Sequence, residues 1–463
     1  MAEISNINNN TANNNEVKIE GAFLSGPIIP AMLKFSLPVL LALFLQAFYG
    51  AVDLWAVGRF CGAAEVSAVA TGSQTMLIIN GLITGLALGT TVLLGMRIGE
   101  GDSAGASRVI GTSMYIFGGL GAVLTVLVMV LARPIALLMN APAEAMEHTV
   151  AYIRICGAGC IFIAAYNLTS AIFRGMGNSS APLIFVTIAS VFNIAGDILL
   201  TKVFNLGAAG VAIATTAAQA ISVALSLLLI KKHGLPFKLT RETMRPERDT
   251  ALGVIKLGFP VALQDMCNEL SYLIIIGLVN SLGLTIAAGV GIAEKIAMFI
   301  FLVPLSYMQS VSAFVAQNTG AQQHVRARQA MWDGMATAAV IGGGIALLTF
   351  FFSNVLSSLF IEEAAVIAVS AEFLKATSIE CFVLSLAYCF TGYFNGIGKT
   401  AFVMTQGIIA GLAVRVPLAW LMTTRPVPVV FHIGLAETAA SAFLLVVCAV
   451  YYTMCAKKRK KLA

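Results

Sequence analysis

Charge is scarce in this sequence: Asp, Glu, Lys and Arg make up 11% of its 463 residues, about half the share of a soluble globular domain. A water-facing surface around so long a chain needs more, so a soluble fold is excluded. Histidine is rarer still: His148, His233, His324 and His432 are the whole set, none spaced as a ligand pair. That argues against an embedded metalloenzyme, and no nucleophile and base stand together to support another enzyme class. The eight cysteines are scattered singly, most inside apolar stretches and none in CxxC spacing; neither a disulfide framework nor a cofactor site is expected. No filter-like repeat suggests a channel. The segment Met96-Arg-Ile-Gly-Glu-Gly-Asp-Ser103 lacks the glycine-aspartate-arginine pattern of major-facilitator-type transporters.

What the chain has instead is apolar length. Apolar residues account for 59% of it and the mean hydropathy is +0.90. Twelve runs are long enough to cross a bilayer core of roughly 30 Å: 32–57, 66–96, 107–136, 148–173, 181–203, 207–230, 251–280, 284–316, 329–359, 364–394, 400–422 and 428–454. The expected fold is an all-α integral membrane protein. Residues 1–27, polar and rich in Asn, read as a disordered tail without a cleavable signal peptide.

The second half of the chain repeats the first. Arg154 to Gly177 aligns without a gap on Lys375 to Gly398 at an offset of 221, and Lys34-Phe-Ser-Leu-Pro38 recurs as Lys256-Leu-Gly-Phe-Pro260. Six spans per half is an even number, so both halves enter the membrane in one orientation and are related by a pseudo-two-fold axis along its normal, with substrate handled between them. The expected organisation is a first lobe over 28–230, a linker over 231–250, a second lobe over 251–456 and a basic tail over 457–463. Lys and Arg concentrate in alternate loops, in the linker (Lys231, Lys232, Arg245, Arg248) and in the tail. The positive-inside rule then puts both termini and the linker in the cytoplasm of a cell whose inner membrane holds the protein. The tail reads as a lipid-facing end, and nucleic acid is not an expected partner.

An acid at bilayer depth costs about 2.5 kcal/mol or more on insertion scales, so it needs a proton, an ion or a partner. Counting along the spans places Asp53, Asn193, Asp197 and Thr215 in one outer layer of the first half. Two close carboxyls can carry a proton; the same carboxylate, amide and hydroxyl oxygens can also cage a metal cation such as Na⁺. The second half holds Asp265, Glu269, Glu294 and Glu380 near mid-membrane, a candidate second cation or substrate site. In the repeat register Arg415 stands where the first half has Asn193. Methionine and aromatic faces suit flat hydrophobic cations, and Met76, Met266, Met298 and Phe299, together with the polar Gln46 and Asn167, are candidate cavity residues.

Tyr49-Gly-Ala-Val-Asp53, Ile172-Phe-Arg-Gly-Met-Gly177 followed by Pro182, Asn193-Ile-Ala-Gly-Asp197, Gly207-Ala-Ala-Gly-Val-Ala-Ile-Ala-Thr215, Gln317-Asn-Thr-Gly-Ala321 and Arg415-Val-Pro-Leu418 occur in that order. In combination they resemble the multidrug and toxic compound extrusion (MATE) transporters of prokaryotic type, over about residues 28–454. The resemblance implies two six-helix lobes around a V-shaped cavity and a monomer in membrane lipid. It also implies secondary active efflux of drug-like organic cations in exchange for H⁺ or Na⁺, with the coupling ion at Asp53, Asn193, Asp197 and Thr215. A lipid-linked saccharide flippase of the related superfamily is the alternative; its pyrophosphate substrate calls for several cationic cavity residues, whereas the embedded charges here are mainly acidic.

Overall fold

In a computed structural model of the chain, residues 21–235, 237, 240, 242–425 and 429–462 are described, and among them the secondary structure is helical without a strand. The first lobe comprises α1 (Ile28–Phe60), α2 (Ala63–Gly99), α3 (Ser103–Leu138), α4 (Met146–Ala158), α5 (Cys160–Gly175), α6 (Ser180–Ile198) and α7 (Gly207–His233). The second comprises α8 (Arg248–Asn280), α9 (Leu284–Ile300), α10 (Leu302–Gly320), α11 (His324–Ser358), α12 (Ala364–Gly396), α13 (Thr400–Ile408), α14 (Val416–Thr423) and α15 (Val430–Leu462). Among the described residues eleven spans are long and apolar enough to cross a membrane, and the bent pair α4 and α5, taken as one span, makes a twelfth. That span turns by 46° at Gly159, where the residue before α5 is a glycine with no side chain to hold the two ends in line.

The sequence pattern explains the bends that matter. Pro38 in α1 and Pro260 in α8 sit at matching places in the two halves, each inside its helix, where the missing N–H and the ring relax the backbone ladder. Two spans instead carry π-helical turns: Leu199–Val203 follows directly on α6, and Ile409–Arg415 joins α13 to α14. Such turns widen the helix by one residue and re-aim neighbouring side chains.

The lobes meet along α2, α8 and α10. A Cβ on Gly85 would collide with Ala262, one on Gly258 with Leu86, one on Gly99 with the Gln317 carbonyl and one on Gly320 with the Met96 carbonyl. Backbones this close leave no room for side chains, which is the use of small residues at helix crossings in lipid.

Two sequence expectations change here. Residues 1–20 lie outside the described residues, but 21–27 are ordered, because one aromatic anchors them. Phe23 is buried, stacked on Phe314 at 4.7 Å and edge-on to Phe35 at 5.1 Å. Its N–H donates to Gln317 Oε1 at 3.3 Å, and Gln317 Nε2 donates in turn to the Gly175 carbonyl of the other lobe at 2.8 Å. Arg326 closes the segment by donating to the carbonyls of Phe23, Ser25 and Gly26 at 2.8–2.9 Å. At the other end, the basic tail is not a separate element, since α15 continues through Leu462; the side chains of 458–463 lie outside the described residues. In the linker, Lys238 and Arg241 are likewise outside them, while the Glu247 N–H donates to Thr112 Oγ1 at 3.2 Å and fastens the segment under α3.

Candidate functional site: an acidic pocket behind a polar cavity

The four first-lobe residues come together. Asp53 lies on α1, Asn193 and Asp197 on α6 with Asp197 just ahead of the π-helical turn, and Thr215 on α7. Thr215 Oγ1 donates to Asp53 Oδ2 at 3.3 Å, and Asn193 Nδ2 donates to Thr215 Oγ1 at 3.3 Å. Asp197 is near enough for its carboxyl to act on that of Asp53, and two neighbouring acids out of water cannot both stay charged cheaply. Asp53 is 5% exposed and Asn193 and Asp197 fully buried, so water does not screen the pair. Four oxygens, Asp53 Oδ1, Asn193 Oδ1 and both of Asp197, have no hydrogen-bond partner. A set of unpartnered hard oxygens is chemistry that suits a proton or Na⁺. Tyr49 and Gln219 border the group, with Gln219 Nε2 donating to Tyr49 Oη at 3.2 Å.

A cavity of about 360 Å³ lies between the lobes. Its first-lobe wall includes Gln46, Asn80, Thr84, Tyr166, Asn167 and Arg174; its second-lobe wall includes Gln264, Asp265, Met266, Asn268, Glu269, Tyr272, Gln309, Tyr388, Asn395 and Arg415. The acidic pair of the first lobe sits behind this wall.

The structure sorts the other sequence candidates. Gln46, Asn167 and Met266 line the cavity. Met76 does not: it packs into the first-lobe core beside Tyr152 and Val128. Met298 is 42% exposed and away from the cavity lining, and Phe299 lines a separate apolar groove with Ile345 and Phe352, packed on Phe44 at 5.7 Å. A helix apolar on every side gives no sign of which residue faces inward. Asp265 and Glu269 line the cavity, whereas Glu294 and Glu380 do not. Glu380 is fully buried and accepts from Ser441 Oγ at 2.9 Å, and the buried Glu437 lies near enough to act on it. Sequence reasoning missed Glu437. The signal was there, because Ala214-Thr-Thr-Ala-Ala218 and Ala436-Glu-Thr-Ala-Ala440 put it at the repeat position of Thr215.

Two lobes of membrane helices closing on a polar cavity, with acids buried behind its wall, define a multi-pass membrane transporter and not an enzyme. The family signature MatE matches residues 38–199 and again 260–421, and the chain belongs to that family. The double match is the internal repeat seen in the sequence. Among relatives, the chain is 25% identical over 437 residues to the "Probable multidrug resistance protein YoeA" of Bacillus subtilis (strain 168), covering 93% of this chain and 94% of that protein. It is 21% identical over 430 residues to the "Multidrug export protein MepA" of Staphylococcus saprophyticus, covering 92% and 94%. Of solved structures, "Outward-facing conformation of a multidrug resistance MATE family transporter of the MOP superfamily" superposes with a TM-score of 0.89 at 20% identity, covering 96% of this chain and 99% of that one. At that identity the likeness speaks for the fold alone.

Proposed function

We propose that this protein exports amphipathic, drug-like organic cations by alternating access, in exchange for inward H⁺ or Na⁺ taken up at Asp53, Asn193, Asp197 and Thr215. The observation that carries the reading is the burial of Asp53 and Asp197 beside Asn193 and Thr215, with four of their oxygens left without a hydrogen-bond partner. Such a pocket is stable only with a cation aboard, and a cation that binds one conformation better than the other shifts the balance between them. Filling the pocket would repack α1 around Pro38 and α6 around its π-helical turn, tightening the cavity wall and displacing the drug. Asp265 and Glu269 on the opposite wall would meet the cationic group of the substrate. The names of the relatives, multidrug resistance and multidrug export proteins, support the substrate class. The protein would act as a monomer in the inner membrane, in contact with its lipids and with both termini in the cytoplasm, as the distribution of Lys and Arg indicates.

The test is efflux of a fluorescent organic cation from proteoliposomes under separately imposed Na⁺ and pH gradients, wild type against Asp53→Asn. Efflux that follows one gradient and is lost in the variant supports the reading and identifies the ion. Equal transport by both proteins removes the first-lobe site from the mechanism, and cation transport by neither favours the flippase.

A further inference from the structure

The cavity touches α2 from Leu77 to Leu88 and ends there. Beyond that point the lobes are shut against each other. A Cβ on Gly89 would strike the Val254 carbonyl, one on Gly95 would press on the Ala316 methyl, and one on Gly99 would strike the Gln317 carbonyl. Packing of small residues this close excludes water, but little in it is directional.

The directional bonds lie one step further out, on residues 21–27. Three second-lobe side chains grip this segment. Asn318 Nδ2 donates to the Phe23 carbonyl at 3.2 Å, and Arg326 donates to the carbonyls of Phe23, Ser25 and Gly26. The Gln317 amide accepts from the Phe23 N–H and at the same time donates to the Gly175 carbonyl of the first lobe. Gln317 and Asn318 are fully buried. The Arg326 guanidinium also lies 5.5 Å from the centroid of the Phe314 ring on which Phe23 is stacked. On the first-lobe side Phe23 meets Phe35, and a Cβ on Gly177 would lie 2.7 Å from that of Ala22. The segment runs into α1 at Ile28, so it is first-lobe chain held by second-lobe side chains.

This grip can be let go. Ala22, Ser25, Gly26 and Pro27 are exposed, and the stretch has no regular helix. The backbone groups that Arg326 and Asn318 hold can therefore be taken up by water when the segment lifts away. Against that stands one buried aromatic, Phe23, which must leave its pocket between Phe314 and Phe35.

We infer that residues 21–27 form a releasable clasp: in place it locks the lobes together at the sealed end of the cavity, and that end opens only after the segment has left Gln317, Asn318 and Arg326. This rests on reading the protein as an alternating-access exporter, which must open that end to take up its substrate. Release of the clasp is then a step of every cycle.

The test is the labelling rate of a reporter cysteine in the full-length protein. Asn395→Cys places a thiol at a fully buried position that lines the cavity. A membrane-impermeant maleimide is added to sealed vesicles in which the linker faces the medium, and labelling is measured over the same chain without the reporter. Adding Phe23→Ala or Arg326→Gln is expected to speed reporter labelling about tenfold, the mark of about 1.4 kcal/mol taken from the closed state. Native Cys160 and Cys381, buried in the cores of the two lobes, should stay unlabelled. An unchanged reporter rate in the folded variants overturns the inference. So does labelling of Cys160 or Cys381 along with the reporter, which would mean that the segment supports the whole fold and not one end of it. If Phe23→Ala does not fold, Arg326→Gln carries the test, since it removes three bonds to the segment and leaves Phe23 its pocket. Failure of the export reading would show separately, as no efflux of the organic cation by wild type, and leaves the labelling rates readable.

Discussion

The two walls of the cavity are built from the same residue types and treat them differently. On the first-lobe wall the amides bond to one another: Gln46 Nε2 donates to Tyr166 Oη at 3.1 Å, Thr84 Oγ1 to Asn167 Oδ1 at 3.0 Å, and Asn167 Nδ2 to Asn80 Oδ1 at 3.1 Å. On the second-lobe wall Gln264 Oε1, Gln309 Oε1 and both amide atoms of Asn395 have no partner. Asn395 stands at the repeat position of Arg174, and both line the cavity. A saturated network holds one geometry, whereas cavity-lining amides without protein partners are open to bonds from whatever fills the cavity. The first-lobe wall is therefore the fixed side of the cavity, and the second-lobe wall is the side whose polar groups are free to take new partners.

The largest break in this comparison should come from behind the fixed wall. Asp53→Asn removes a charge from the proposed coupling site, and gradient-driven efflux should fall about 5- to 150-fold, the range of ordinary coupling energies, with thermal unfolding in detergent little changed. Next, Asn167→Leu strands Asn80 and Thr84, and each buried group left unpaired costs about 1–3 kcal/mol; the lowered melting temperature of the purified variant measures it. On the opposite wall Glu269→Gln should raise the KM for a cationic dye by no more than about five-fold, since a partly exposed charge pair contributes about 0.2–1 kcal/mol, and it should leave kcat in place. The smallest effect sharpens the contrast most. Gln309→Leu removes an acceptor that has no donor, so stability should stay level or rise by up to about 1 kcal/mol, and a clear drop in melting temperature would show that both walls are equally bonded.

Much of the architecture was legible in the sequence because lipid makes polar residues conspicuous. A lone Asp in an apolar run has few places to go, so depth alone placed Asp53, Asn193, Asp197 and Thr215 in one layer, and the structure places them in contact. Depth carries no azimuth, which is why Met76, Met298 and Phe299 fell away from the cavity while Met266 faces it. Glu437 was hidden for another reason: it is unremarkable in its own helix and becomes visible only beside Thr215 in the repeat. Phe23 was beyond reach altogether, since a single aromatic in a polar stretch acquires meaning only from Phe314 and Gln317, which lie about 290 residues further along.

That distance along the chain also orders events in time. The segment around Phe23 leaves the ribosome well before the residues that receive it, since Gln317 is made 294 residues later. At about 5–20 residues per second this is a wait on the order of 15–60 s. Through that interval the first lobe is inserted with its neighbour's contact surface exposed, and Gly175 has no Gln317 to accept from. The clasp across the two lobes thus cannot close until α10 has been made, so its formation reports that the opening helices of the second lobe have reached the first.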